Sequence, residues 1–192
     1  MTTRIFVTVG TDHHPFTRLI DWVDAWAADR SDVHLVVQHG SARPSRVGTN
    51  HELLGGDEIA AEYAAADVVI SQVGPGTIAD ANRAGHRPIV VPRDPDLGEV
   101  VDDHQVAFGE FMAARGRCIC VQTENELTRE ADAAVASPPD LLRSGAALPS
   151  TTAGEVAAVA EAVLIAPRRR FSGRRLLASL RRPVRLPSSS PS

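Results

Sequence analysis

Short apolar runs alternate with amphipathic stretches along most of the chain. Ile5-Phe6-Val7-Thr8-Val9 is continuous enough for a strand buried on both faces, and Gly10-Thr11 ends it. Pro15 suits a first helical position, and Phe16, Leu19, Ile20, Val23, Trp26 and Ala27 follow at helical spacing. Val33 to Val37 reads as the second strand. Residues 38–50 (QHGSARPSRVGTN) form a turn-rich polar loop, long enough to be functional. Glu52-Leu53-Leu54 reads as a short strand before Gly55-Gly56, and Asp57 as the cap of a helix through Ala66. A strand at 68–72, a helix at 77–84 and a strand at 88–91 come next. A polar loop from Arg93 to Asp102 leads into a helix over about Asp103 to Ala114, ended by Gly116. Arg117 to Val121 is the last clear strand. Glu124 to Ala136 is helical and stopped by Pro138-Pro139, and residues 153–166 form a final apolar helix.

This alternation predicts an α/β fold, a Rossmann-like parallel sheet with helices on both faces. Ligands of such sheets bind beyond the carboxyl ends of the strands. That rule places Gly10-Thr11, Gln72 to Thr77 and Arg93 to Gln105 along one edge, so three loops distant in sequence converge.

Composition narrows the chemistry. Among 192 residues, 43% are apolar and only 4% aromatic, so Val, Ile, Leu and Ala must fill the core. Every basic side chain is Arg. The lack of any Lys excludes a P-loop and a Schiff-base mechanism. Residues 167–192 hold eight Arg and no acid, leaving 12 Arg against all 24 acids in residues 1–166. The division expected is a ligand-binding unit over 1–166 and an Arg-rich, partly disordered tail over 167–192. An acidic body argues against nucleic-acid binding, whereas the tail suits anionic lipid or an acidic partner. Cys118 and Cys120, two apart in a strand, read as buried reduced thiols. No signal peptide is expected before the first strand, and no apolar run reaches about 18 residues. The expected location is cytoplasmic, with membrane association.

Residues 66–92 (ADVVISQVGPGTIADANRAGHRPIVVP) carry the strongest functional signal. An apolar strand runs into a loop with Gly74 and Gly76, and a helix opens at Thr77. Unpaired N–H groups at a helix start carry partial positive charge, and glycines let phosphates approach the main chain. Asp80 would lie near a ribose, or merely complement the helix dipole. A nicotinamide site fits poorly, because a single Gly10 replaces the glycine fingerprint and Gln38-His39 replaces the ribose-binding acid. Asp94-Pro95-Asp96 has the form of a metal-binding D-x-D motif, but reads more naturally as turn chemistry. His13-His14 follows the first strand as a candidate proton carrier. His104-Gln105 offers hydrogen bonds to sugar hydroxyls.

In order, VTVGT, PFTRLI, ADVVISQVGPGTIAD, PIVVPR and DDHQVAF resemble the C-terminal, donor-binding domain of glycosyltransferase family 28 over about residues 4–127. Length and the early VTVGT are most similar to its stand-alone members. These are the UDP-N-acetylglucosamine transferase subunits of eukaryotic N-glycan assembly and their bacterial exopolysaccharide counterparts. The resemblance implies the C-terminal half of a GT-B fold, with a UDP-sugar as donor and neither cofactor nor metal. It implies that Gly74, Gly76 and Thr77 hold the diphosphate, that Asp80, in place of the usual Glu, meets the ribose, and that Arg93 or its neighbours hold the uracil. It further implies that His104 and Gln105 contact the sugar, and that Gly10 and Thr11 line an interdomain cleft. The implied activity is inverting, metal-independent transfer to a lipid-linked acceptor, with a separate membrane-anchored subunit binding the acceptor at the inner face of the cell membrane. His14 is the best local candidate for the catalytic base. A non-catalytic nucleotide-sugar-binding subunit is the alternative.

Overall fold

The computed structural model describes residues 2–101 and 104–137. The expected helix at 153–166, the Arg-rich tail and the boundary between them lie outside these residues. The elements run β1 (Thr3–Thr8), α1 (Thr17–Ala27), β2 (Val33–Gln38), β3 (Thr49–His51), α2 (Gly56–Ala65), β4 (Val68–Gln72), α3 (Pro75–Arg83), β5 (Ile89–Val91), a single 3-10 turn at Pro95–Leu97, α4 (His104–Ala114), β6 (Ile119–Cys120) and α5 (Glu124–Ala136). The six strands form one sheet in the order β3-β2-β1-β4-β5-β6, every neighbouring pair parallel. The strand order reverses between β1 and β4, which opens a crevice at their carboxyl ends.

Alternation along the strands divides the core. Ile5, Val7 and Val9 of the first strand and its exit join Leu35, Val37, Val68, Ile70, Ile89 and Val91 under α1 and α5. Phe6, Val36 and Val69 point the other way, against Tyr63 of α2 and Ala81 of α3. Farther along that face, Val90 and Cys118 meet Ile78 of α3 and Phe108 and Met112 of α4. Both thiols are free; Cys118 is buried as expected, Cys120 only half-buried, and burial pushes Cys118 up to about 12 and Cys120 up to about 11.

Several boundaries differ from the sequence expectation, each for a local reason. Pro15 is not the first helical residue. Helix α1 starts at Thr17, because Phe16 takes a non-helical conformation that buries its ring completely. The third strand is Thr49–His51 rather than Glu52 to Leu54, and pairs with Val36 to Gln38. A three-residue edge strand needs its backbone more than apolar side chains, so hydrophobicity misplaced it. Gly55, not Asp57, occupies the start of α2, and its N–H donates to Glu58 Oε2 at 2.8 Å. Helix α3 begins at Pro75, two residues before Thr77, with Pro in the first turn where its missing N–H costs nothing. The strands β5 and β6 are each shorter than expected at both ends or at one.

The loop after β2 is tied down by one buried acid. Asp24 of α1 accepts from Ser45 Oγ at 2.5 Å, from the Arg46 N–H at 3.1 Å and from Arg43 at 2.8 Å. Burial works to raise the Asp24 carboxyl, but these donors outweigh it and leave it below its ordinary value. A depressed folded-state value means that the contribution is full above the unfolded carboxylate range, about pH 4, and is lost as pH falls through the folded value. Asp24→Asn should therefore cost about 1–3 kcal/mol at neutral pH and flatten the loss of stability below about pH 4. Urea unfolding across pH checks this, and an unchanged acid limb would contradict it.

Candidate functional site

The carboxyl edge of the sheet gathers most of the residues singled out above. Gly10 leaves β1 in a left-handed conformation, φ 77°, which favours glycine. A Cβ there would lie 2.9 Å from Gln72 Nε2, and one at Gly74 would run into the same amide. Gln72 Nε2 in turn donates to Thr77 Oγ1 at 3.2 Å. Gly10, Gly74 and Thr77 thus surround one side chain at the point where the strand order reverses. Gln38, fully buried at the end of β2, supports the loop from below by donating to Gly10 O at 3.3 Å.

Beside them, α3 presents its N-terminus. Ile78 N–H is the first to find a helical acceptor, Gly74 O at 3.0 Å. The N–H groups of Gly76 and Thr77 have no backbone partner among the described residues. A Cβ at Gly76 would meet nothing within 4 Å, so the space beside that residue is open. Asp80, one turn on, forms an exposed pair with Arg83 at 2.5 Å and lies close enough to Tyr63 to help burial raise the phenol. An exposed pair of this kind holds weakly, so the carboxylate remains available to a ligand hydroxyl.

Arg93 does something different from what sequence suggested. Its side chain is 1% exposed and turned inward. One guanidinium nitrogen donates to His14 O at 2.7 Å and to Glu99 O at 2.9 Å, and another to Val9 O at 2.8 Å. The guanidinium also lies over the Phe16 ring, 4.8 Å from its centroid. Burial lowers its pKa, while Asp12 and Glu99 oppose that shift by their charge. The Arg93 side chain is therefore a clamp inside the protein and is not presented to a ligand. The Arg93 N–H donates to Gln105 Oε1 at 3.1 Å, which brings the start of α4, with His104 and Gln105, to the same edge.

Sequence reasoning missed the acid that completes this clamp. Glu99, 5% exposed, accepts from Arg18 at 2.7 and 3.0 Å and from the Asp94 N–H at 2.9 Å. Asp94 itself accepts from the Asp96 N–H at 2.9 Å, so Asp94-Pro95-Asp96 is a capped turn. Gln72 was placed on this edge by sequence, but not its role as the amide that Gly10, Gly74 and Thr77 enclose.

Thr11 is exposed on the loop after Gly10, and His14 is half-buried. Asp12, His13 and His14 bring three donor atoms within 4.8 Å of one another, a spacing that would suit a metal ion. Here Asp12 Oδ1 instead accepts from the His14 N–H at 2.8 Å and from its Nδ1 at 2.7 Å, which makes a hydrogen-bonded pair. The His14 N–H is the largest influence on Asp12 and holds its carboxyl below the usual carboxylate range.

A sheet with this crevice, and a bare helix N-terminus beside it, suits a phosphorylated ligand. The sequence profile of the glycosyltransferase family 28 C-terminal domain matches residues 4–147. The chain belongs to that family. Its similarity to curated family members is local. It is 39% identical over 74 residues to the UDP-N-acetylglucosamine--N-acetylmuramyl-(pentapeptide) pyrophosphoryl-undecaprenol N-acetylglucosamine transferase of Cupriavidus metallidurans, covering 38% of this chain and 19% of that protein. The enzyme of the same name from Burkholderia thailandensis is 36% identical over 74 residues, with the same shares. The match thus spans about a fifth of the length of these relatives. Among solved structures, Acinetobacter baumannii MurG superposes with a TM-score of 0.54 at 20% identity, covering 74% of this chain and 43% of that one. The calicheamicin glycosyltransferase CalG4 gives 0.56 at 16% identity, covering 86% and 43%. At these identities the likeness establishes the fold, that of one half of a GT-B glycosyltransferase.

If Arg93 is the clamp described, Arg93→Lys should unfold more easily, because one ammonium cannot reach carbonyls on both sides as the planar fork does. The expected loss is roughly 2–4 kcal/mol in chemical denaturation, from orphaned buried carbonyls. A wild-type midpoint would refute the clamp.

Proposed function

We propose that this chain binds the donor for an inverting glycosyltransferase that moves N-acetylglucosamine, or a related sugar, from UDP to a lipid-linked acceptor. The observation that carries this reading is the pair of amides at Gly76 and Thr77, which have no backbone partner among the described residues and stand at a helix start where a Cβ on Gly76 would meet nothing within 4 Å. A diphosphate placed there is a good leaving group, since fixed dipoles meet the charge that develops as the glycosidic bond breaks. No metal or cofactor is needed for that stabilisation. Asp80 is positioned on α3 to take the ribose, the main chain around Arg93 to flank the uracil, and His104 and Gln105 to orient the sugar. Gly10 and Thr11 border the cleft toward the acceptor. His14 takes the proton of the attacking hydroxyl.

The described residues make one Rossmann-like unit, and the solved relatives are more than twice as long as the part that matches. We assign the acceptor to a second, membrane-anchored subunit, and the reaction to the inner face of the cell membrane, in polysaccharide or glycolipid synthesis. The names of the curated relatives support a lipid pyrophosphate acceptor. The eight Arg of residues 167–192 supply charge for contact with anionic lipid.

Calorimetric titration with UDP-N-acetylglucosamine tests the site. Thr77→Ala and Gln105→Ala should each weaken binding about tenfold, near the value of one good hydrogen bond. Gly76→Ala should fold normally yet bind less tightly, because its methyl group fills the space the diphosphate needs. Full affinity in both the Thr77 and Gln105 variants would sink the assignment. Transfer is then measured on a panel of UDP-sugars with and without the acceptor subunit. Donor binding without transfer in any combination would favour the non-catalytic alternative.

A further inference from the structure

We propose that Asp12, His13 and His14 together bind one divalent transition-metal ion of the zinc class. The proposal stands apart from the donor-site reading and holds whatever the protein transfers.

Among the described residues, these three side chains are the one group of His, Cys, Asp or Glu whose donor atoms gather closely enough to share an ion, no two of them more than 4.8 Å apart. Zinc takes imidazole nitrogen and carboxylate oxygen at about 2.0–2.2 Å, so neighbouring donors of a tetrahedral site lie roughly 3.3 Å from each other. Asp12 Oδ1 is 2.7 Å from His14 Nδ1 and 3.6 Å from His13 Nδ1. The two separations bracket the required one, and shifts of roughly 0.6 and 0.3 Å bring both to it. The Asp12–His14 contact is a hydrogen bond in the structure. An ion replaces its proton: the Nδ1 lone pair turns to the metal, and the single proton of the neutral ring passes through solvent to Nε2. Nothing is oxidised or reduced in the exchange.

Two of the three arms are fixed in advance. Asp12 Oδ1 also accepts the His14 main-chain N–H at 2.8 Å, and Ser41 Oγ donates to Asp12 O at 3.1 Å. Buried Arg93 holds the other side of the loop by donating to His14 O at 2.7 Å. Pro15 follows His14 and confines its backbone to extended forms. Ligands already in place lose less freedom when the ion arrives. The third arm, His13, is exposed and stacks on His14 with ring centroids 3.9 Å apart, so its ring is free to make the small adjustment.

The donor set chooses the metal. Two imidazoles with one carboxylate suit zinc and its transition-metal neighbours, whereas magnesium and calcium take oxygen ligands. Three protein ligands leave a fourth position to water, as in an open site and unlike a closed structural one. The Arg93 guanidinium opposes a second cation here, and Glu99 offsets part of its charge. Micromolar affinity is therefore expected. The rival ligands are the two thiols, but burial holds Cys118 and Cys120 protonated, and a metal needs the thiolate.

Calorimetric titration of the full chain with zinc, in the absence of nucleotide, tests the site. One ion per chain should bind with micromolar affinity, and magnesium or calcium in excess should not compete. Asp12→Asn, His13→Ala and His14→Ala should each weaken binding more than about tenfold, the least that losing even an outer partner of a metal ligand costs. His34→Ala, at the opposite end of β2, should bind as the wild type does. Cobalt in place of zinc should give visible bands without the near-ultraviolet absorption of a thiolate ligand. No saturable binding overturns the proposal, as does wild-type affinity in the three variants or a thiolate band. The His13→Ala variant separates this site from the other, since it should lose zinc while keeping its affinity for UDP-N-acetylglucosamine. Loss of both ligands together would show a general disturbance of the loop and overturn the assignment to a distinct metal site.

Discussion

A single buried guanidinium organises the working edge of this protein. Arg93 leaves β5 and turns back under the loops, where main-chain carbonyls of Val9, His14 and Glu99 accept its protons. A buried carbonyl without a partner costs about as much as a lost hydrogen bond, so each of these loops is specified by the presence of this cation. The cation is tolerable only because Phe16 lies under its plane, and Glu99 and Asp12 stand near enough to balance it. Glu99 is held by Arg18, so the clamp extends into α1 and does not depend on the loop alone. Through its main-chain N–H, Arg93 also receives the side chain of Gln105, which fixes where α4 begins relative to β5. The exits of β1 and β5 and the start of α4 become one rigid surface. A site built from three loops needs such a device, because loops left to themselves do not hold groups to the tolerance that binding a charged ligand demands.

The parallel sheet was legible because its strands are buried on both faces and read as continuous apolar runs. Phe6, Val36 and Val69 on one side and Ile5, Leu35 and Val68 on the other are what that pattern requires. The edge strand β3 was not, since Thr49, Asn50 and His51 contribute backbone hydrogen bonds and almost no burial. The glycine loop and the helix after it were also readable, although the helix begins at Pro75 rather than Thr77. What escaped was the inward role of Arg93. An arginine in a polar loop beside a ligand edge looks like a ligand contact, and its acceptors are carbonyls as far as 84 positions away in sequence. No side-chain pattern records a bond to a carbonyl. Asp12 was passed over for a similar reason: next to two histidines it looks like loop solvation, and only the geometry shows one oxygen serving two donors of the same residue.

The same geometry bears on what transfer at the proposed donor site requires. The groups proposed to hold the donor lie on the carboxyl edge of a single sheet, and Thr11, Gly76 and Asp12 there are open to solvent. Fixed dipoles stabilise a departing diphosphate far better when water is excluded, since high dielectric weakens each of them. An exposed activated sugar is also open to attack by water in place of the acceptor hydroxyl. A second wall solves both problems at once, by drying the cleft and by bringing the acceptor hydroxyl to the donor. On the proposed reading the donor is held on this half and the nucleophile on the other, so that neither half alone carries out the wasteful hydrolysis. The short, stiff connection from β1 through Gly10 to His14 is well placed for that division. It sits where the strand order reverses, and so on the border any second wall must close against.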